Sequence, residues 1–273
     1  MKQRIFTAAI LIPLVITFVW VGGLPFFIFL TAILLVAQAE FYSVSTSPQA
    51  SPKKLVCLGA GFLILASSYI RTTDMLLSTQ KGIPAFILTF SVIILLLIHL
   101  FDKNIRYFVD SLGLSLAGIF MVPWLGSYLL LLRDIAPFGK QYFFMLLAGV
   151  WTVDTAAYAF GTKFGGRKLA KTISPKKTIA GFISGFISGM IFAFIWLTVV
   201  KINFLNWKDA LFFGAVIGIA GQLGDLVESM FKRSCMVKDT GGLFPGHGGA
   251  YDRIDSIIFA APFLYYYLVI FVK

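Results

Sequence analysis

Apolar residues fall along this chain in long stretches separated by short polar ones. Nine stretches stand out, at residues 5–22, 24–44, 55–70, 83–101, 111–132, 142–161, 179–200, 210–231 and 254–272. An α-helix needs about 17–25 apolar residues to cross roughly 30 Å of hydrocarbon, and all but 55–70 reach that length. Lipid offers no hydrogen-bond partners, so a spanning segment has to close its backbone bonds internally. The pattern predicts an all-α integral membrane protein of about nine transmembrane helices. Pro13, Pro84 and Pro123 lie inside these stretches, where a proline kink is tolerated. The first stretch has no small-residue cleavage site before the next and reads as a retained helix, not a leader.

Composition agrees with this reading. Of 273 residues, 59% are hydrophobic and 13% charged, with mean hydropathy +0.89, which leaves too little polar surface for a separate soluble domain. Basic residues set the orientation, because short loops rich in Lys and Arg stay cytoplasmic. With the N-terminus inside, 16 Lys and Arg fall in inner loops against 7 outside. The C-terminus is then outside, as an odd number of spans requires. The location expected is a cell inner (plasma) membrane, crossed many times. The net charge of +11 comes mostly from the inner loops and suits anionic lipid headgroups as partners, with no nucleic acid implied. Cys57 and Cys235 are placed near the reducing inner face without metal-site spacing.

Residues 1–140 read as N-terminal helices providing scaffold and lipid access, and 141–273 as C-terminal helices carrying a catalytic site that faces the cytoplasm. In the first half "SPQASPKK" (47–54) is a turn-rich connector and His99 an interfacial structural residue. The second half is different. Six inner cations lie in "TKFGGRKLAKTISPKKT" (162–178) and four more in 232–253. Gly181, Gly185 and Gly189 have the small-xxx-small spacing that lets helices approach closely, within the chain or in a homodimer.

Asp154, Asp225 and Glu228 are acids within predicted spans. An ionised carboxylate there costs about 2.5–3.5 kcal/mol, so it normally has a partner or a task. Asp225, Glu228, Ser229 and Lys232 share one helix face, and Asp252 and Asp255 are again three apart. The loop 232–253 lets their helices lie side by side. Oxygen-only acid sets suit hard cations, Mg²⁺ above all, shared between carboxylates and substrate phosphates. Asp225, Glu228, Asp252 and Asp255 are therefore the expected metal ligands. The plainer alternative is that Asp252 caps the last helix and Asp225 pairs with a buried cation. The loop adds Gly241, Gly242, Gly246, Gly248 and Gly249, whose N–H groups can fold around phosphate oxygens, with Lys232, Arg233, Lys238 and Arg253 as matching charge. His247 could donate a proton to a leaving phosphate or brace the loop.

Ser229, Lys232, Arg233, Lys238, Asp239, Pro245, Gly246, His247, Gly248, Gly249, Asp252, Arg253 and Asp255 together resemble the C-terminal signature of the CDP-diacylglycerol synthases, or phosphatidate cytidylyltransferases. "DTAAYAFGTKFG" from Asp154, and "ISPKKT" with Ser174, Pro175, Lys177 and Thr178, resemble the same family. The first half shares only its hydrophobic character. The resemblance implies that CTP and phosphatidate give CDP-diacylglycerol and pyrophosphate, with one or two metal ions, Mg²⁺ first and a monovalent cation as a candidate second. It makes Asp225, Lys232, Lys238, Asp239, His247, Asp252 and Arg253 the catalytic candidates. Asp154, Ser174, Lys176, Lys177, Thr178, Ser229, Arg233, Gly246, Gly248 and Gly249 become the substrate-binding candidates. One position departs: the family usually has glutamate two residues after that threonine, where this chain has Ala180. A CTP-dependent polyprenol kinase is the competing enzyme reading. An ion or phosphate transporter is the competing non-enzyme, but no inverted repeat relates the two halves.

Overall fold

The structure is a computed structural model and describes residues 2–47, 50–73, 82–102, 105–202, 205–244, 246 and 248–272, leaving aside the side chains of 2–6 and 71–73. It is almost entirely helical. In chain order come α1 (Lys2–Val21), α2 (Gly23–Ser45), α3 (Lys54–Thr73), α4 (Ile83–Leu100), α5 (Phe108–Ile119), α6 (Leu125–Arg133), α7 (Gly139–Phe164), α8 (Ile179–Val200), α9 (Trp207–Ser234) and α10 (Tyr251–Tyr267). A π-helical turn, Phe120–Trp124, carries α5 into α6. It contains Pro123, which lacks the N–H an α-helix would use and pushes its ring into the preceding turn.

Each of the nine apolar stretches forms helix. Among the described residues, seven helices are long and apolar enough to cross a membrane, while Thr7–Val21 and Lys54–Ile70 are shorter apolar helices. A multi-pass helical membrane protein follows from length and composition. The basic loop 162–178 departs from the all-helical expectation. Its Lys168–Ala170 (β1) and Ser174–Thr178 (β2) pair antiparallel, with Lys168 opposite Thr178 and Ala170 opposite Ser174. No apolar alternation announces so short and exposed a hairpin.

The chain divides into two compact units, 1–131 with 239–253, and 132–238 with 254–273. In the first, α2, α3, α5 and the π-turn enclose Leu34, Phe41, Tyr42, Ile64, Leu65 and Ile119. Two polar side chains of this core bond to backbone carbonyls across it, as burial favours. The Tyr42 hydroxyl donates to the Ser115 carbonyl (2.8 Å), and Gln38 Nε2 donates to the Cys57 carbonyl (2.9 Å). His99 has the structural setting expected of it: it is buried, with Nδ1 3.1 Å from Asp102 Oδ2, and Lys53 Nζ lies 2.7 Å from Oδ1 of the same aspartate.

The second unit is organised by glycine. A Cβ at Gly181 would come within 2.7 Å of the Ala157 carbonyl oxygen on α7, and one at Gly189 within 2.9 Å of the Gly214 carbonyl oxygen on α9. From the other side, a Cβ at Gly218 would lie 2.9 Å from Phe186 Cα. The glycines of α8 and α9 thus let backbones touch, and α7, α8 and α9 form one tight trio. Gly224 does the same toward α10, where a Cβ would lie 2.8 Å from the Asp255 carbonyl oxygen. That approach brings Asp225 beside Asp255. The ends are secured by caps: Thr178 Oγ1 accepts from Gly181 N (3.1 Å) to start α8, and Asn206 Oδ1 accepts from Lys208 N (2.8 Å) to start α9.

Candidate active site

Helical spacing places Asp225 and Glu228 on one face of α9, and the Gly224 contact sets Asp255 of α10 against them. The three carboxylates each offer an oxygen within 4.8 Å of the others, a set that could hold a metal ion. Three acids so close repel one another unless cations intervene. Two lysines supply them. Lys177 Nζ, from the end of β2, lies 2.7 Å from Asp225 Oδ2. Lys232 Nζ, one turn along α9, lies 2.7 Å from Glu228 Oε2, with side-chain exposures of only 13% and 2%. Ser229 Oγ donates to Asp225 Oδ1 at 3.3 Å.

Asp225 and Lys177 also line a cavity of about 630 Å³ between α7, the hairpin, α8 and α9. Its wall includes Asp154, Lys168 and Lys176. Two carboxylates and three ammonium groups among its lining residues make it a place for a polyanion carrying its own cation. Gln222 is part of the wall too, and the sequence reading did not single it out. Its Nε2 donates to the carbonyls of Gly218 (2.6 Å) and Phe182 (3.1 Å), which fixes the side chain against α8.

Other expected site residues have local partners. Thr178 lines the cavity while its hydroxyl caps α8, and Ser174 closes the hairpin opposite Ala170. The Arg233 guanidinium donates to the Val237 carbonyl (3.0 Å) and the Ile173 carbonyl (3.4 Å), tying the end of α9 to the hairpin turn. Ala180 sits in the first turn of α8, half-buried.

The glycine-rich loop belongs to the first unit. Gly246 and Gly248 have φ of 77° and 84°, the left-handed region that side chains disfavour. Phe244 N donates to the Gly248 carbonyl (3.0 Å), folding the segment back on itself. Asp252 holds it closed: its Oδ2 accepts from Thr240 N (2.9 Å), Thr240 Oγ1 (3.0 Å) and Gly249 N (2.7 Å). Asp252 is therefore at least a cap for α10 and a clasp for the loop. Lys238, Asp239, Gly246 and Arg253 are exposed. His247 and Pro245 lie outside the described residues. One acid of the first half, Glu40, meets this loop without any sign of it in the sequence pattern.

The chain matches the model of the cytidylyltransferase family over residues 2–271. It is 34% identical over 273 residues to the phosphatidate cytidylyltransferase of Bacillus subtilis (strain 168), covering 99% of this chain and 98% of that one. The phosphatidate cytidylyltransferase of Brucella suis biovar 1 (strain 1330) is 33% identical over 276 residues, with 100% and 95% covered. That of Staphylococcus saprophyticus is 31% identical over 268 residues, with 97% of each chain covered. Likeness along the whole length, first half included, settles what the motifs of the second half had indicated: the chain belongs to the cytidylyltransferase family.

Proposed function

We propose that this chain transfers the cytidylyl group of CTP to phosphatidate, releasing pyrophosphate and forming CDP-diacylglycerol for phospholipid synthesis. The observation that carries this reading is a cluster of three acids and two lysines, of which Asp225 and Lys177 line a lysine-bearing cavity, in a chain whose relatives bear the name of that reaction. The attacking group is a phosphate monoester, ionised near neutral pH, so no general base is needed. What the reaction does need is in-line positioning of two polyanions and neutralisation of their charge.

Asp225, Glu228 and Asp255 fit a divalent cation: all three are oxygen donors, close together, with no histidine or cysteine among them. Mg²⁺ held there would supply Lewis-acid stabilisation of the departing pyrophosphate. The chain's own cations do the rest. Lys177 and Lys232, which hold the acids, present ammonium groups to phosphate oxygens in the same place, and Lys168 and Lys176 line the approach. Asp252 is included as a metal ligand on the strength of its spacing from Asp255, alongside its bonds in the loop. The glycine stripe of α8 is used within the chain, so it supports no homodimer contact.

Bacterial relatives support a plasma-membrane location, and the basic loops support a site facing the cytoplasm with nine spans in all. Topology has a direct check. In a chain made cysteine-free elsewhere, a cysteine at 174 is expected to react only with reagents that reach the cytoplasm, and one after Lys273 only from outside. Reaction of both from one side would mean an even number of spans between residue 174 and the C-terminus, not the three expected. For the activity, purified protein given labelled CTP, phosphatidate and Mg²⁺ is expected to release pyrophosphate only when all three are present. Phosphorylation of a polyprenol with release of CDP would instead favour the kinase reading.

A further inference from the structure

Glu40 is a carboxylate near the end of α2, in a helix otherwise apolar enough to span a membrane. An acid in that setting carries an insertion cost and so has a partner or a task. Its partners come from the glycine-rich loop, some two hundred residues further along the chain. Oε2 accepts from Tyr251 N at 3.1 Å and from Thr240 Oγ1 at 3.4 Å. Tyr251 opens α10, so its N–H is one of the helix donors with no partner inside the helix, and a negative charge is favourable there. The Phe41 ring next to Glu40 meets the Tyr251 ring edge to face, with centroids 6.0 Å apart.

The glycines of the loop are shaped to this carboxylate. A Cβ built at Gly241 would overlap Glu40, and its three nearest atoms are all from that side chain. A Cβ at Gly249 would overlap Glu40 as well. Neither glycine is in the left-handed region, so backbone conformation does not account for them. Room for the carboxylate does. Asp252 grips the same two ends of the loop, at Thr240 and Gly249. The Thr240 hydroxyl has one proton, which the shorter contact assigns to Asp252, leaving the Tyr251 N–H as the main bond of Glu40.

We infer that Glu40 is a positioning residue for the transfer reaction. Its carboxylate, with that of Asp252, closes the loop 239–253 and so sets the conformation in which Asp239, the glycine N–H groups and Arg253 meet the substrates. This rests on the reaction proposed above for the chain and on the phosphate-binding role that the sequence pattern gives this loop. Glu40 acts through the loop backbone and contacts no substrate.

The test uses the full chain in lipid nanodiscs. Limited trypsin cleavage after Lys238 and Arg253, without substrates, reads loop closure, and CTP kinetics read the reaction. Glu40→Ala is expected to speed cleavage and to lower kcat/KM by about 30-fold, the size of one charged hydrogen bond lost. Glu40→Gln retains an oxygen that accepts from Tyr251 N, and is expected to stay within about threefold of the parent in both measurements. Gly241→Ala pushes a methyl group into the carboxylate and is expected to be damaging alone, yet to add little in the Glu40→Ala background, since contacting pairs are not additive. Because Gly241→Ala leaves Glu40 in place, the coupling stays readable if Glu40→Ala folds poorly, through Gly241→Ala paired with the shorter Glu40→Asp. Equal inactivity of the Gln and Ala variants with unchanged cleavage would overturn the inference, because charge would then act on a ligand directly. Simple additivity of Gly241→Ala and Glu40→Ala would overturn it too. Should the parent protein show no cytidylyl transfer, the cleavage series still decides the loop contact separately from the reaction.

Discussion

Asp225→Asn is expected to lower kcat by about a thousandfold or more, the scale of losing a principal electrostatic stabiliser, while the protein still inserts and folds. The amide keeps the size of the carboxylate but gives up the charge that a divalent cation and Lys177 share. Folding should survive because α9 is held by glycine contacts with α8 and α10, not by this side chain. Glu228→Gln should be less tolerant: this acid is 1% exposed, and its loss would leave the Lys232 ammonium buried without its counter-charge. Turnover at saturating Mg²⁺, Mn²⁺ binding without substrates, and melting temperature in detergent separate these effects. Near-normal turnover in Asp225→Asn would remove this acid from the metal assignment, whatever the binding data showed.

Lys177 is the second residue for which a large effect is expected. It lines the cavity beside Asp225, with 27% of its side chain exposed, whereas Lys168 is an exposed residue at the edge of the hairpin. If Lys177 holds a substrate phosphate in this partly dry site, Lys177→Ala should cost about 2 kcal/mol in kcat/KM, within the range for hydrogen bonds to charged groups. Lys168→Ala should cost little. The ion pair adds a further expectation. Lys177 competes with any metal for Asp225, so Mn²⁺ should bind Lys177→Ala more tightly than the parent when no nucleotide is present. A pure topology anchor would leave both constants alone. Ala180→Glu belongs in the same series, since a carboxylate in the first turn of α8 is favoured by the helix N-terminus and restores the acid that the family usually has there. Its kcat/KM is expected to rise. Equal, small losses in the two lysine variants would defeat the phosphate contact, and no gain from the glutamate would mean that another residue has taken over that role.

The helices were legible because the signal for them is local. Twenty apolar residues in a row specify a membrane-crossing helix wherever they occur, and acids three apart share a face in any α-helix. Asp225 and Glu228 therefore declared themselves, and Asp255 could be added once a loop allowed α10 to return. The Asp225–Lys177 pair was half-legible: the plain alternative of a buried cation partner was visible, but not which cation. Glu40 was not legible at all. Its meaning lies in Tyr251 and Thr240, two hundred residues away, and no pattern within α2 distinguishes it from an acid at a membrane surface. Asp252 was legible only in part, for a related reason. Spacing suggested a metal ligand, while the N–H groups that occupy its Oδ2 belong to a loop whose fold no periodicity describes. The hairpin was hidden because strands of three and five residues carry too few side chains to form a pattern.

The two lysine–carboxylate pairs also bear on how the chain enters the bilayer during synthesis. Glu228 and Lys232 are one turn apart on α9, so this acid arrives at the translocon with its counter-charge on the same helix. Asp225 depends on Lys177, which has already been made and stands just ahead of α8. By the time the ribosome has finished α9, Asp225 and Glu228 both have their cations at hand. The span can leave the translocon as a nearly neutral rod, before α10 and any metal ion are there to share the charge.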